Sequence, residues 1–311
     1  MPGRAERERA ERKPGRGQPQ EKRETSVNGG SRIVMENVLS RLTERQVVVD
    51  LGCGPGSFHY ESYTCKIIGI DLTVSHRVPR AHVSFVQANS AQIPLASNSV
   101  DAVVSHHTLE HFGDFRTTLV EVDRILKDDG VIWIAIPNGY GFDDALYRFV
   151  FSGGGHVNRF SRDQLVEEVH RLTRFRLIQE VDLFSSFIYL KKPAAEEYQF
   201  YPRTARFLFH IPDGTSTTGI LAINAGTRLI DKFFGSRISQ YGWGFVFAAG
   251  GVSLTPLHRP YFNVCSNCGS GIPASRLRDE GQLKQFCGVG FYQCPHCRRL
   301  NAFVAPPAGC D

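Results

Sequence analysis

A strand-forming run that passes into alternating glycines constrains this chain more than any other feature. Residues 47–56 read VVVDLGCGPG, a β-branched run followed by glycine at every second position of a loop. Glycine lets the backbone turn sharply and lets a ligand lie against bare peptide groups. The segment therefore predicts a buried strand that delivers the chain to a ligand-binding turn.

Further apolar runs predict an α/β sheet. They lack the polar alternation of a strand with one wet face, which is typical of parallel strands covered by helices on both faces. A helix is expected over Thr117–Lys127 and is expected to end at Gly130, and Ser161 with Gln164 forms a capping-box pattern for another. The further expected strands are residues 67–70, 83–86, 102–104, 131–136, 175–183 and 243–249.

An aspartate follows the second expected strand. Asp71 stands where a carboxylate in a βαβ unit accepts hydrogen bonds from the two ribose hydroxyls of a nucleotide. The loop is G-x-G-x-G, whereas a pyrophosphate-binding loop is G-x-G-x-x-G. The pattern favours a ligand that has a ribose and no pyrophosphate, such as S-adenosylmethionine.

These residues resemble the class I S-adenosylmethionine-dependent methyltransferases, in particular the type 11-like group of small-molecule methyltransferases. The resemblance implies a Rossmann-like sheet of seven strands, mostly parallel, whose last strand is antiparallel. The sequence departs from the family between Gly56 and Asp71, where the segment is about two residues short, so that a truncated first helix is expected. The resemblance is carried by residues 50–56, 68–71, 88–95, 99–105, 109–111 and 124–126.

The resemblance also implies a set of cofactor-binding positions. The loop holds the methionine end, and Asp71 binds the ribose. Asn89 stands where the family usually has an aspartate facing the adenine amino group, and its amide keeps one acceptor oxygen. Ser105 lies near the sulfonium. The full set is Asp50, Gly52, Gly54, Gly56, Asp71, Asn89 and Ser105.

Several histidines follow the fourth expected strand. His106 and His107 are candidate general bases because imidazole titrates near neutral pH. A base is optional, since aligning the acceptor with an already electrophilic methyl group supplies much of the catalysis. His111, beside Glu110, is interpreted as fixing the loop, and His156 as bordering the substrate pocket or capping the Ser161 helix.

Two C-x-x-C pairs near the C-terminus predict a metal site. Paired cysteine knuckles present four thiolates, a tetrahedral set that suits Zn²⁺ and leaves no open coordination position. The pattern resembles a zinc ribbon, with a structural zinc ion. Its surface is interpreted as solvated, with RNA or protein contact as the alternative. The ligands are expected to be Cys265, Cys268, Cys294 and Cys297.

The chain is expected to divide into three parts: a disordered tail over residues 1–30, a methyltransferase domain over 31–255 and a zinc-binding module over 256–311. Within the domain, residues 184–242 form an insertion that is a candidate substrate lid, with an apolar helix near 220–234. The net charge is +5, and residues 1–23 alone, with eight Lys/Arg and four Glu, account for +4 of it. The nearly neutral remainder disfavours a general nucleic-acid-binding surface. The sequence shows no transmembrane run and no signal peptide, so a cytoplasmic location is expected.

Three functions remain open at this point. The first is methyl transfer to a small or carrier-linked acceptor, such as a metabolite, a glycan or a lipid-linked molecule. The second is an RNA or protein methyltransferase that recruits its substrate through the zinc ribbon. The third is a non-catalytic adaptor that keeps the fold. The intact glycine loop and Asp71 argue against the adaptor. The oligomeric state is not indicated.

Overall fold

Seven strands form the central sheet. The computed structural model describes residues 35–74, 79–250, 252, 262–268 and 270–305. The sheet order is β3-β2-β1-β4-β5-β7-β6, and β7 runs antiparallel to both of its neighbours. The predicted, mostly parallel Rossmann-like sheet with an antiparallel last strand is therefore confirmed. The strands are β1 (Val47–Leu51), β2 (Lys66–Asp71), β3 (Val83–Gln87), β4 (Val100–His106), β5 (Leu126–Pro137), β6 (Arg176–Phe184) and β7 (Gln240–Ala248).

Two apolar layers cover the sheet, one on each face. In β5, Ile132 and Ile134 join one buried cluster, and Trp133 joins the other. This division follows from the alternation of side chains along a strand. Helices α1 (Phe115–Ile125) and α3 (Arg162–Leu172) contribute to the first cluster, and the helical residues 35–39 contribute to the second.

The helix caps explain where the covering helices begin. The Asp114 carboxylate accepts the Thr117 N–H at the start of α1. Ser161 and Gln164 form the predicted capping box at the start of α3. Helix α2 (Phe142–Val150), between them, follows the end of β5.

The predicted end of α1 is wrong. The helix ends at Ile125, and Gly130 already lies inside β5. Leu126 pairs with Val100 and Val131 pairs with Ala102, so residues 127–130 bulge out of the ladder. Burial of Leu126 against the sheet explains the early strand start.

The insertion contains the predicted long helix, α4 (Asp213–Phe234). The apolar residues near its end do not form its buried face, because Phe233 and Phe234 are exposed. Small and polar residues are buried instead, among them Ser216, Thr217 and Asn224. Composition predicted the helix correctly but not the face that packs.

The C-terminal region forms two small sheets and a short helix. Helix α4 packs against β11 and β12 of this region. Three basic side chains of the insertion also donate to its backbone carbonyls: Lys191 to Asn267 (2.5 Å), Arg228 to Phe303 (3.2 Å) and Lys232 to Cys287 (3.1 Å). The elements are β8 (Phe262–Val264), β9 (Gly271–Pro273), α5 (Ala274–Asp279), β10 (Leu283–Phe286), β11 (Val289–Gln293) and β12 (Leu300–Ala302).

Some of the predicted parts lie outside the described residues. These are the whole of the tail over residues 1–30, residues 31–34, 75–78, 251 and 253–255 of the domain, and residues 256–261, 269 and 306–311 of the C-terminal module. Among the residues that are described, no helix has the length and apolar character needed to cross a membrane.

Candidate active site

Asp50, the last polar residue of β1, fixes the conformation of the glycine loop through hydrogen bonds. Its carboxylate is fully buried and accepts the Ser57 N–H (3.0 Å), the Ser57 hydroxyl (2.6 Å) and the Tyr60 hydroxyl (2.5 Å). The chain thereby folds back over the strand end. A direct contact between Asp50 and a cofactor stays a prediction.

The glycines of the loop adopt conformations that side chains rarely take. Gly52, Gly54 and Gly56 have φ values of 70°, 41° and 115°. A Cβ on Gly52 would lie 2.7 Å from the Thr108 Cβ, whereas a Cβ on Gly54 would meet no heavy atom within 4 Å. Gly52 therefore serves close packing, and Gly54 faces open space.

The carboxylate of Asp71 lies against this open turn. It accepts the Gly54 N–H through Oδ2 (2.9 Å). Only a three-residue 3-10 helix, Tyr60–Ser62, intervenes between the loop and β2, which confirms the predicted truncation. The arrangement lacks a helix N-terminus for a pyrophosphate and fits an adenosyl group, whose ribose needs a carboxylate acceptor.

The other predicted cofactor positions follow neighbouring strands. Ser105, near the end of β4, is buried, and its hydroxyl lies 2.8 Å from that of Thr108. Thr108 donates to the Leu51 carbonyl (3.0 Å), so the loops after β1 and β4 are joined. Asn89 follows β3, and its Oδ1 accepts the Ala91 N–H (3.0 Å). These side chains share the carboxyl edge of the sheet, where ligands bind in open α/β folds.

Of the two candidate bases, His106 is buried and His107 is partly exposed, and both are uncharged near neutral pH. Burial lowers the pKa of His106 to about 4. Burial, together with the neighbouring histidines His106, His156 and His111, lowers the pKa of His107 well below its usual range. His107 Nε2 lies 2.9 Å from the Tyr241 hydroxyl. Both rings are thus in the neutral form that can accept a proton, and their catalytic role stays a prediction.

The comparison with protein families agrees with this geometry. Residues 49–134 match the family described as Methyltransferase domain. They contain the glycine loop, Asp71 and the segment after β4. This part of the chain is a class I S-adenosylmethionine-dependent methyltransferase domain.

Named relatives match about a third of the chain. A probable S-adenosylmethionine-dependent methyltransferase of Mycobacterium tuberculosis is 33% identical over 119 residues, which are 35% of this chain and 42% of the relative. The malonyl-[acyl-carrier protein] O-methyltransferase of Enterobacter lignolyticus is 31% identical over 103 residues, 30% of this chain and 41% of the relative. The chain spans less than half the length of these relatives.

Among solved structures, a SAM-dependent methyltransferase from Archaeoglobus fulgidus is similar with a TM-score of 0.48 and 17% identity. The alignment covers 70% of this chain and 92% of that one.

A second group of polar side chains lies beside the glycine loop of the methyltransferase domain. Ligand atoms of Glu110, His111 and His156 lie within 4.8 Å of one another. Burial raises the pKa of Glu110 to about 8. His156 Nδ1 lies 2.6 Å from Asp144 Oδ1, so His156 does not cap the Ser161 helix. The sequence named the three cluster residues separately, and Asp144 was missed.

The four predicted cysteine ligands meet at one point of the C-terminal region. Ligand atoms of Cys265, Cys268, Cys294 and Cys297 all lie within 4.8 Å of one another. The Sγ atoms of Cys265 and Cys297 are 3.6 Å apart, and those of Cys268 and Cys294 are 3.7 Å apart. These cysteines are free thiols.

Proposed function

We propose that the protein transfers a methyl group from S-adenosylmethionine to a small or carrier-linked acceptor. The observation that carries the proposal is the Asp71 carboxylate held 2.9 Å from the Gly54 N–H, beside a turn with open space. A carboxylate and bare peptide groups, without a pyrophosphate-binding helix, suit an adenosyl sulfonium. The methyltransferase domain around them supports the same cofactor.

The loop residues have distinct roles in this proposal. The glycines Gly52, Gly54 and Gly56 allow the methionine end to lie on the backbone, and Asp50 acts through Ser57 and Tyr60 by fixing the turn. Asp71 accepts the ribose hydroxyls. Asn89 faces the adenine, and Ser105 lies near the sulfonium.

The acceptor is aligned at the mouth of the loop. Bound S-adenosylmethionine supplies an electrophilic methyl group. Positioning the acceptor behind that group removes up to ~7–11 kcal/mol of barrier. A general base with a pKa near the working pH adds ~10²–10⁴-fold where the acceptor must lose a proton. His106 and His107 are the proposed bases, and their lowered pKa values place their contribution at the lower end of that range.

We further propose that the insertion over residues 184–242 covers the acceptor. Its Tyr189 ring lies 5.3 Å, between centroids, from the Tyr147 ring, which in turn stacks on His156 at 4.9 Å. The insertion therefore reaches the side chains next to the cofactor loop. The three proposed parts of the chain, 1–30, 31–255 and 256–311, and its cytoplasmic location stay predictions.

The four cysteines are proposed to hold a structural zinc ion. A tetrahedral site with Zn–S bonds of about 2.3 Å has sulfurs about 3.8 Å apart. The observed separations of 3.6 and 3.7 Å fit that geometry. The Asn267 N–H and the Asn301 side chain each lie 3.4 Å from Cys265 Sγ, which supports a thiolate there.

Calorimetry with S-adenosylmethionine and S-adenosylhomocysteine tests the cofactor. Wild-type protein should bind both, and Asp71→Ala should bind about 10–100-fold more weakly, because a hydrogen bond to a charged group contributes about 1.5–3 kcal/mol. Asp128→Ala is the matched control, since this aspartate is 92% exposed at the start of β5. Absence of heat with wild-type protein at millimolar cofactor would overturn the proposal.

The acceptor class is tested with methyl-labelled cofactor and a cell extract. Label should appear in metabolites or in groups attached to a carrier. Label that ribonuclease renders soluble, or label on amino-acid side chains after hydrolysis, would instead support the RNA or protein methyltransferase.

A further inference from the structure

We infer that Glu110, His111 and His156 form a binding site for one divalent transition-metal ion beside the glycine loop. This site is separate from the four cysteines. Two imidazoles and one carboxylate are a donor set that suits ions such as Mn²⁺, Fe²⁺, Co²⁺ and Zn²⁺.

The three side chains are close enough to share an ion. Their ligand atoms lie within 4.8 Å of one another. Bonds of about 2.1 Å allow about 4 Å between ligands across an ion. His111 is exposed, so a small rotation of its ring closes the remaining distance.

Both histidine rings are oriented as metal ligands usually are. His156 Nδ1 lies 2.6 Å from the Asp144 carboxylate, and His111 Nδ1 lies 2.9 Å from the Gly155 carbonyl. Each ring therefore has Nε2 left for a metal. Hydrogen bonds of this kind from the second ring nitrogen fix the tautomer and raise ligand basicity.

Asp144 is itself held in place. Arg148 Nε donates to the other carboxylate oxygen of Asp144 (2.5 Å), and Arg148 Nη1 donates to the His156 carbonyl (2.5 Å). Asp144 is 2% exposed. Asp144 and Arg148 thus fix the orientation of the His156 ring, as the partners of a metal-binding histidine do.

The side chain of Glu110 gives the strongest argument for a bound ion. Its side chain is 1% exposed, and its Oε2 has no hydrogen-bond partner in the part of the chain that the structure describes. Its Oε1 lies 3.9 Å from His107 Nδ1, which is beyond hydrogen-bond length. Burying an unpaired carboxyl oxygen is costly, and a bound cation offsets that cost.

The backbone of Glu110 holds the segment that carries His156 at the site. Its carbonyl accepts the N–H groups of Val157 and Asn158, both at 2.9 Å. These contacts bring the segment after His156 against the loop that follows β4. The same loop packs on Gly52 through Thr108, so the cluster borders the cofactor turn.

Three protein ligands leave coordination positions open. Resting on the proposed function, we assign these positions to an oxygen of the acceptor, a hydroxyl or a carboxylate. The substrate class is therefore an oxygen-bearing molecule that can bind a divalent cation near the methyl group.

Manganese titration followed by electron paramagnetic resonance tests the site on the full chain loaded with zinc. Mn²⁺ is the probe because it is paramagnetic, suits a site that offers a carboxylate, and binds thiolates too weakly to displace zinc from them. Wild-type protein should bind one Mn²⁺, and His111→Ala should bind at least about 100-fold more weakly with an unchanged melting temperature, since the side chain is exposed. His59→Ala is the control, because His59 is an exposed histidine that also lies beside a glutamate, Glu61.

Asp144→Asn provides a second measurement. Loss of the carboxylate behind His156 should weaken Mn²⁺ binding about 10–100-fold. Unchanged Mn²⁺ affinity in His111→Ala, or in Asp144→Asn, would overturn the assignment. Calorimetry with S-adenosylmethionine separates the two proposals: cofactor binding without Mn²⁺ binding rejects the metal site alone, and the reverse rejects the methyl donor alone.

Discussion

The central sheet and the C-terminal cysteine region are held together in different ways. The sheet is covered by two large apolar clusters, one on each face. The main buried cluster of the cysteine region has only Ile272, Leu277 and Tyr292 beside two of the cysteines. A core of that size does not by itself stabilise a small fold, so the proposed zinc ion would have to supply much of the stability through the four sulfurs. With the proposed zinc ion, one chain combines a region stabilised by apolar burial with a region stabilised by metal coordination.

The largest expected difference between the two regions follows removal of the proposed zinc ion. With a chelator, or in Cys294→Ser, β10, β11 and β12 should lose protection from hydrogen exchange, while β1, β4 and β5 keep theirs. Structural zinc contributes an apparent ~10–16 kcal/mol in small modules, more than their whole stability.

Hydrogen exchange with mass spectrometry measures both regions in one sample. Cys287→Ser is the control, because this cysteine is exposed and lies outside the set of four. Protection that persists over residues 283–302 after the metal is removed would show that the region folds without it.

Acid should destabilise the sheet through one buried histidine, whereas it acts on the cysteine region through the proposed zinc-binding thiolates. Burial lowers the pKa of His106 to about 4, from 6.5. As the pH falls from 6.5 towards 4, the unfolded chain binds a proton that the folded chain does not. Stability therefore decreases with acid, by about 3 kcal/mol at pH 4. His106→Phe should remove this part of the pH dependence.

Urea unfolding at several pH values, followed by the fluorescence of buried Trp133, measures the effect. His59→Phe serves as the comparison, since its ring is half exposed. Equal pH slopes in His106→Phe and wild type would contradict the assigned pKa direction.

The smallest expected effect is a difference in unfolding free energy between variants of two glycines in the cofactor loop. Both Gly52→Ala and Gly54→Ala should lose about 1–2 kcal/mol of unfolding free energy because both φ values are positive. Gly52→Ala should lose more, since its Cβ would lie 2.7 Å from Thr108. Gly54→Ala should weaken S-adenosylmethionine binding at lower cost to stability. Unfolding and calorimetry on the pair give both numbers, and identical results for the two variants would refute the separate roles.

Features encoded within one segment could be predicted from the sequence. The β-branched runs, the capping box at Ser161 and the glycine loop are local patterns, and the structure contains all three. The antiparallel last strand was available only through resemblance to a family, because residue order does not reveal sheet order.

Features that depend on distant contacts could not be predicted in this way. Asp144 and Arg148 are spaced as an ordinary surface pair on a helix. Only folding shows that they are buried against His156. Likewise, the apolar end of α4 suggested a packed face, whereas the buried residues of this helix include Ser216 and Asn224, which hydrogen-bond to Lys192 and Ser186 of the same insertion.

The contact between α4 and the C-terminal region changes how shortened forms of the protein should be interpreted. Cutting the chain after Pro256 would remove β11 and β12 from α4, and would leave Arg228 and Lys232 without the carbonyls that they now bind. Lost activity in such a truncated protein would report a damaged insertion as readily as a missing recruitment surface. Substitutions of cysteine-region residues that do not contact α4 separate those two causes, because they leave the packing between α4 and this region intact.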